Sequence, residues 1–364
     1  MTSSDASDAK PSKAKDATPR RGRDVSIRRV AEMSGVSIAT VSRVLNNPDL
    51  VARNTTERVQ RAVRELGYRP NLFAKSLLSK RSRVIGVSLP DIHGEFYAEL
   101  MHAADRRARE LGYHLLVSAG AHQEDAPRTD NDSTGAGFAI DLVDGLIVML
   151  TEQSRSDLEA IARLNIPTAV IGCDRPGSRV ETITYDNILG AEQATEHLLE
   201  GTPPERCYFV GAHKGNLDSD DRARAFTDTL RARGHEPDAD QIAYGEFTFE
   251  WGWDWASSRM DADALAGAAV FAANDEIAVG IANAARERGL EMPRDIRLVG
   301  FDDSRICTLL RPEISSVRVP IPDLASEAID ALVRRIESPE RDPKHTRLAT
   351  SLVIRDSSRL KERA

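Results

Sequence analysis

From residue 84 onward the chain repeats one pattern, a short continuous apolar run followed by a longer segment whose apolar positions recur every three to four residues. The runs Val84–Leu89, His114–Ser118, Gly145–Met149, Thr168–Gly172, Tyr208–Gly211, Ala268–Ala273 and Arg297–Phe301 predict strands. Between them, Phe96–Leu111, Ile188–Leu199 and Ile277–Arg288 predict amphipathic crossover helices. Apolar strands separated by helices predict parallel sheets covered on both faces, a doubly wound α/β arrangement. So many units exceed one small sheet, so two α/β lobes are expected. Residues 122–137 (HQEDAPRTDNDSTGAG) are polar and rich in turn formers, which predicts a surface loop.

Residues 26–67 follow a different rule. Ser26 stands where an N-cap is needed, and Ile27, Val30 and Ala31 form the inner face of a first helix. Ser34-Gly35-Val36 predicts a tight turn, with Gly35 supplying positive φ. Ser37 caps a second helix, Ile38–Leu45, whose inner face is Val41, Val44 and Leu45. A third helix buries Val59, Ala62, Val63 and Leu66 and ends at Gly67. Two short helices around a glycine turn meet the requirement of an all-α helix-turn-helix head.

Charge sharpens the division. The net charge is −8, yet residues 25–83 carry 12 Lys/Arg against 4 Asp/Glu, and residues 84–364 carry 31 against 49. A basic head on an acidic body favours polyanion binding at one end only. Residues 1–24, with Arg20, Arg21 and Arg23, are Ser/Asp/Lys/Pro-rich and predict a disordered arm without the apolar core of a secretion signal. Cys173, Cys207 and Cys307 are far apart, lack metal-ligand spacing and read as buried reduced thiols, as expected of a cytoplasmic protein. No apolar run approaches the length of a membrane span.

In doubly wound sheets, ligands sit beyond the carboxyl ends of the strands. Asp91, Asp174, Asn274-Asp275 and Asp302-Asp303 each follow a predicted strand. Carboxylates and amides that accept paired hydroxyls suit a sugar, but Asp and Asn are also preferred helix caps. Capping is the expectation for Asp275 and Asp303. There is no G-x-G-x-x-G after a strand, no P-loop and no nucleophile–base motif, so no enzyme is expected. His213 and His235 are isolated and read as surface residues.

The stretches VAEMSGVSIATVSRVLN, GYRPNLFAKSLLS, DNILGAEQATEHLL and LVGFDD resemble the LacI/GalR family of transcription regulators. The resemblance runs from about residue 25 to 358. It implies a helix-turn-helix domain over 25–70, a hinge helix and linker over 71–83, a two-lobed periplasmic-binding-protein-like effector and dimerisation domain over 84–358, and a tail over 359–364. On the second helix it implies that Ile38 and Ala39 set specificity and that Arg43 contacts a base edge, with Ser37 and Ser42 on the same outer face. Arg53, Thr55, Thr56 and Arg58 are better suited to phosphate contacts, which fix register. Tyr68-Arg69-Pro70-Asn71 breaks the helical run, and Asn71 is placed to cap a short hinge helix that contains Ala74, Leu77 and Leu78. The resemblance makes Leu77 a minor-groove wedge. The alternative is that both leucines seal the joint between head and body.

For the ligand, DIHGEFYAEL implies Phe96 and Tyr97 at the cleft with Asp91, and it places His93-Gly94-Glu95 where the family has Ser-Asn-Pro. DRARAF makes Arg222 the effector-binding arginine, and Asn216 and Asp218 precede it. GEFTFEWGW makes Phe247 an aromatic wall, with core packing as its alternative, and leaves open whether Trp251, Trp253 and Trp255 line the pocket. The resemblance tips Asn274 and Asp302 toward the pocket. The expectation is a homodimeric repressor on a palindromic double-stranded DNA operator, controlled by a small-molecule effector such as a sugar, with no cofactor and no metal, acting in the cytoplasm on the nucleoid. The rival is a solute-binding protein without a gene-regulatory role, which the DNA head argues against.

Overall fold

A computed structural model of the chain describes residues 26–68, 81–119, 142–151, 161, 166–173, 180–260 and 265–360. The expected arm with Arg20, Arg21 and Arg23, the hinge residues Asn71, Ala74, Leu77 and Leu78, the loop 122–137 and Asp174 lie outside the described residues. The chain divides into two compact units, Met1–Lys80 and Arg81–Ala364.

The first unit holds α1 (Ile27–Ser34), α2 (Ile38–Asn46) and α3 (Arg53–Leu66). Their apolar stripes meet in one core of Val30, Ala31, Val41, Val44, Val59 and Ala62. Gly35 ends α1 at φ +65°, a left-handed conformation that a Cβ would strain, and so turns the chain directly into α2. Ser37 caps α2 by accepting from Thr40 N–H at 3.1 Å. Ser26 occupies the cap position of α1, but its side chain makes no capping bond; only its carbonyl receives the first helical N–H groups.

The second unit contains two six-stranded sheets. The first has the order β11-β5-β4-β3-β1-β2, built from β1 (Val84–Leu89), β2 (His114–Ala119), β3 (Gly145–Met149), β4 (Thr168–Ile171), β5 (Glu181–Tyr185) and β11 (His345–Leu348). All its pairs are parallel. The second has the order β12-β10-β9-β8-β6-β7, from β6 (Cys207–Ala212), β7 (Ile242–Gly245), β8 (Ala268–Ala272), β9 (Ile296–Asp302), β10 (Ser315–Arg318) and β12 (Ser351–Val353). Only its edge pair, β10 with β12, is antiparallel. The covering helices are α4 (Glu95–Glu110), α5 (Asn187–Leu199), α6 (Leu217–Ala232), α7 (Phe249–Met260), α8 (Asp275–Glu287), the short α9 (Ile306–Leu309) and α10 (Ile321–Glu337).

The lobes are not successive halves of the chain. The chain passes from the first sheet to the second at Asp186, returns between β10 and α10, and crosses again between β11 and β12. After its return, α10 packs on α4, β3, β4 and β5. Strands β5, β7, β10, β11 and β12 were not expected from apolar runs; in β5 and β10 the reason is buried polar residues whose partners are distant in sequence. Glu181 in β5 is 1% exposed and faces Arg335 of α10 at 3.2 Å. Ser316 in β10 donates to Asp275 at 2.6 Å.

In the second lobe α7 lies unusually close to α8. A Cβ at Gly280 would stand 2.7 Å from Trp253 N and press on the Phe249 carbonyl. Gly280→Ala is therefore expected to lower the unfolding free energy by about 1–3 kcal/mol from overpacking, outweighing the gain of about 1 kcal/mol in helix propensity. Urea denaturation checks this; a stability equal to or above wild type would refute the tight helix contact.

Candidate functional site

On the head, α2 turns Val41 and Val44 inward, which leaves Ser37, Ile38, Ala39 and Arg43 exposed on the opposite face and Ser42 partly so. Ile38 is 43% exposed, the largest apolar side chain on that face. Arg53 is exposed at the start of α3 and paired with Glu57 at 3.1 Å, Thr55 is partly buried, and Arg58 is exposed.

In the body, the carboxyl ends of strands from both sheets converge on Arg222, one turn into α6. Its side chain belongs to a residue only 2% exposed. Nε donates to Asn187 Oδ1 at 2.8 Å, one terminal nitrogen donates to the Ala273 carbonyl, and the other reaches Tyr185 Oη at 3.3 Å. The guanidinium lies 3.7 Å from the centroid of the Phe301 ring and 6.0 Å from that of Phe247. Asp218, one turn earlier, accepts from Tyr185 Oη at 3.1 Å and Asn187 Nδ2 at 2.7 Å. Phe96 stacks edge-on against Tyr97 and stands 6.4 Å from Tyr185.

Asp302 ends β9 at φ +108°, a conformation that costs a non-glycine residue free energy and recurs at ligand sites. Burial pushes its carboxyl well above the usual range; the Arg222 charge opposes the shift, while Asp275, Asp218 and Glu276 add to it. Burial likewise raises the Tyr97 hydroxyl, which lies in the field of Asp218, Asp91, Asp302 and Glu276. Glu276 is raised by burial and by Glu250, Asp91 and Glu95. Glu95 reaches across the cleft to accept from Ile306 N–H at 2.9 Å.

Arg222, Asp218, Phe247, Asp302, Phe96 and Tyr97 are thus brought together. Three other expected residues are spent locally. Asn216 caps α6 by accepting from Ser219 N–H at 3.0 Å. Asn274 caps α8 by accepting from Ile277 N–H at 2.9 Å and also donates to the Phe247 carbonyl. Asp91 is exposed and folds onto its own loop, taking bonds from Ile92 N–H, His93 N–H and the His93 ring. Burial opposes ionisation there, but the His93 and Ile92 bonds outweigh it and hold the carboxyl low.

The capping expectation fails for Asp275 and Asp303. Asn274 holds the cap position, and Asp275, 2% exposed, instead accepts from Ser304 N–H, Ser304 Oγ and Ser316 Oγ beneath the cleft. Asp303 pairs with Arg318 at 2.7 Å and Arg355 at 2.6 Å. His235 is also no free surface residue, since its ring bonds Gln241 at 2.7 Å. Tyr185 and Asn187 were missed altogether: they flank the first crossing, at the end of a strand too polar to stand out. Among the tryptophans, Trp251 donates to the Gly211 carbonyl at 3.1 Å and Trp255 is buried against Tyr208. Both brace the lobe behind Phe247.

A cavity of about 180 Å³ opens beside Asp218, lined also by Tyr185, Asn187, Gly172, Asp221 and Arg347. A larger one of about 340 Å³ lies at the far end of α8, between Ala282, Arg286, Met292 and Leu310, away from the strand ends. The three cysteines are buried and free. Among the described residues no group of His, Cys, Asp and Glu is placed to hold a metal, and no helix is long and apolar enough to cross a membrane.

Residues 26–71 match the bacterial regulatory proteins of the lacI family, and residues 196–358 match the periplasmic binding protein-like domain. The HTH-type transcriptional regulator RegA of Clostridium saccharobutylicum is 30% identical over 326 residues, covering 89% of this chain and 96% of that protein. The chain belongs to the LacI family. It is a DNA-binding transcriptional regulator with a helix-turn-helix head and an effector-binding body. The ribose operon repressor of Halalkalibacterium halodurans is also 30% identical, over 329 residues and 94% of its length. Among solved structures, a transcriptional regulator CelR–cellobiose complex matches with a TM-score of 0.67 at 27% identity, covering 92% of this chain and 99% of that one. A Lac repressor dimer bound to operator and an anti-inducer shares the fold, with a TM-score of 0.79 at 24% identity over 92% of this chain and 99% of that one.

Burial pushes the Asp275 carboxyl up to about 6 from an ordinary 3.8, against the pull of its serine donors. Between about pH 4 and 6 the native state keeps a proton that the unfolded chain has released, so this group makes the protein less stable as pH rises. Asp275→Asn removes that slope. Its unfolding free energy relative to wild type should therefore increase from about pH 4 to pH 7 in parallel urea titrations. A constant difference would mean that Asp275 ionises normally.

Proposed function

We propose that the chain is a homodimeric repressor that binds a near-palindromic operator and is controlled by a hydroxyl-rich small molecule of the sugar class, seated between the lobes at Arg222. The observation that carries this reading is the cluster at the strand ends, in which Arg222, Asp218 and Asp302 meet Phe247, Phe96 and Tyr97. Carboxylates and a guanidinium accept from and donate to vicinal hydroxyls, and aromatic faces cover sugar C–H surfaces. That a relative is named a ribose operon repressor and a solved relative carries cellobiose supports the sugar class. The protein works without a cofactor and is not an enzyme; it acts in the cytoplasm, where the DNA is.

In this reading residues 1–24 form an arm, 25–70 the DNA-binding head, 71–83 the hinge, 84–358 the effector and dimerisation body, and 359–364 a tail. Two heads place Arg43, Ile38, Ala39, Ser37 and Ser42 in successive major grooves, while Arg53 and Thr55 hold phosphates. In this reading the hinge, which holds Asn71, Ala74, Leu77 and Leu78, meets DNA between the half-sites, with Leu77 as the minor-groove wedge. Ligand favours one arrangement of the lobes over the other, and that difference in affinity shifts the head and hinge equilibrium.

Operator sites selected from random duplexes and measured by band shift test the head. Arg43→Ala should weaken the selected site by about 1–3 kcal/mol and relax one base position, because a bidentate arginine–guanine contact is lost. An unchanged selection profile would remove Arg43 from the base contacts. For the cleft, Arg222→Lys and Asp302→Asn should each abolish the shift in operator affinity that an inducing sugar produces in wild type, the two variants guarding against loss through misfolding of either. A normal ligand response in both would displace the site from this cleft.

A further inference from the structure

Two neighbouring residues at the start of α4 touch the second lobe. Glu95, the first residue of that helix, accepts from Ile306 N–H at 2.9 Å through Oε2. Ile306 opens α9, and the next two N–H groups, of Cys307 and Thr308, turn back to the carbonyls of Ser304 and Arg305. Glu95 therefore serves an N–H of the kind that a helix start leaves without an internal partner. A bond from a carboxylate to a backbone N–H is charge-assisted and stronger than a neutral one. Beside it, a Cβ added at Gly94 would run into the Glu276 carboxylate of α8, so the lobes also meet there.

Both ends of the Glu95 bond are anchored, and both lead into the site. On one side, Phe96 and Tyr97 follow Glu95 directly on α4, which packs on α10 in the first lobe. On the other, Ile306 comes soon after Asp302 in the chain. Ser304, between them, is held by Asp275, and Ile306 packs against the core. The bond thus joins the segment that carries the aromatic pair to the segment that carries Asp302. Glu95 stands where the family pattern has proline, a side chain with no oxygen to offer, so the bond depends on a residue particular to this sequence.

Resting on the reading of this cleft as the effector site, we propose that Glu95 is a positioning residue that fastens the first lobe to the start of α9 at the mouth of the cleft and so biases the equilibrium between lobe arrangements. The bias equals the free energy of the bond and no more. A ligand that prefers the fastened arrangement binds more tightly because of it, and a ligand that prefers the other must break it.

The test combines hydrogen exchange at the Ile306 amide of the full-length protein, resolved by overlapping peptides, with band shifts on the selected operator and no added ligand. Glu95→Asp keeps the acidic charge at the start of α4 but draws the carboxylate back by one methylene, out of reach of Ile306. Glu95→Ala removes both, and Glu99→Ala removes an exposed charge one turn along the same helix. Exchange at Ile306 should quicken about three- to tenfold in Glu95→Asp and Glu95→Ala, and stay as in wild type in Glu99→Ala. Operator affinity should shift by about two- to tenfold in the same two variants only, since the coupled effect cannot exceed the bond itself. Glu95→Gln, which keeps the length and an acceptor oxygen, should fall between. Wild-type exchange in Glu95→Asp would reduce Glu95 to a helix-end charge and overturn the proposal, as would an equal effect of Glu99→Ala. Faster exchange with unchanged operator affinity would also overturn it, because the bond would then bias nothing that reaches the head. Failure of the cleft reading itself shows separately, as a normal ligand response in Arg222→Lys and Asp302→Asn.

Discussion

A guanidinium withdrawn from water must find acceptors in several directions at once, and Arg222 organises the body around that need. Its acceptors come from the end of β8 and from the segment that links the two sheets, Tyr185 and Asn187. The residues that satisfy the arginine are therefore the residues through which one lobe meets the other. Asp218 closes the set by accepting from both Tyr185 and Asn187. A ligand that competes for Asp218 changes the partners of the crossing segment as well as its own, which is a physical route from occupancy to lobe arrangement.

Beneath this layer, Asp275 fastens the loop after β9 and the strand β10 to the start of α8 through its serine donors. The cleft floor is thus polar but satisfied, and a satisfied buried network is rigid. The close approach of α7 to α8 braces the same floor from outside and fixes Phe247 at the cleft edge, where its carbonyl accepts from the α8 cap Asn274.

Most of the architecture was legible in the sequence because it follows from periodicity. The three head helices and the apolar strands announce themselves by burial alone. What escaped was polar. The sequence ETITY reads as neither an apolar run nor a helix, yet it is a buried strand, because Glu181 finds Arg335 from α10, more than 150 residues away. Tyr185 followed from missing that strand. Carboxylate roles were legible by position but not by partner: Asp275 and Asp303 both follow strands, and spacing cannot tell which will take serines and which will pair with arginines. Only residues whose partners lie within a few positions, such as Ser37 with Thr40, are decidable from local sequence.

The interleaved path of the chain also orders events in time. Translation delivers the head first, and its core of six buried side chains, with Val63, Leu66 and Tyr68 packed against it, closes without anything beyond residue 68. The first lobe begins next, at β1, but it cannot be finished: its covering helix α10 and edge strand β11 are supplied by residues 321–348, after the whole of the second sheet except β12. Until then the flank that α10 will cover, over β3, β4 and β5, stays open, and Glu181 waits uncompensated. A ribosome-bound chain thus carries a folded head well ahead of a completed sensor.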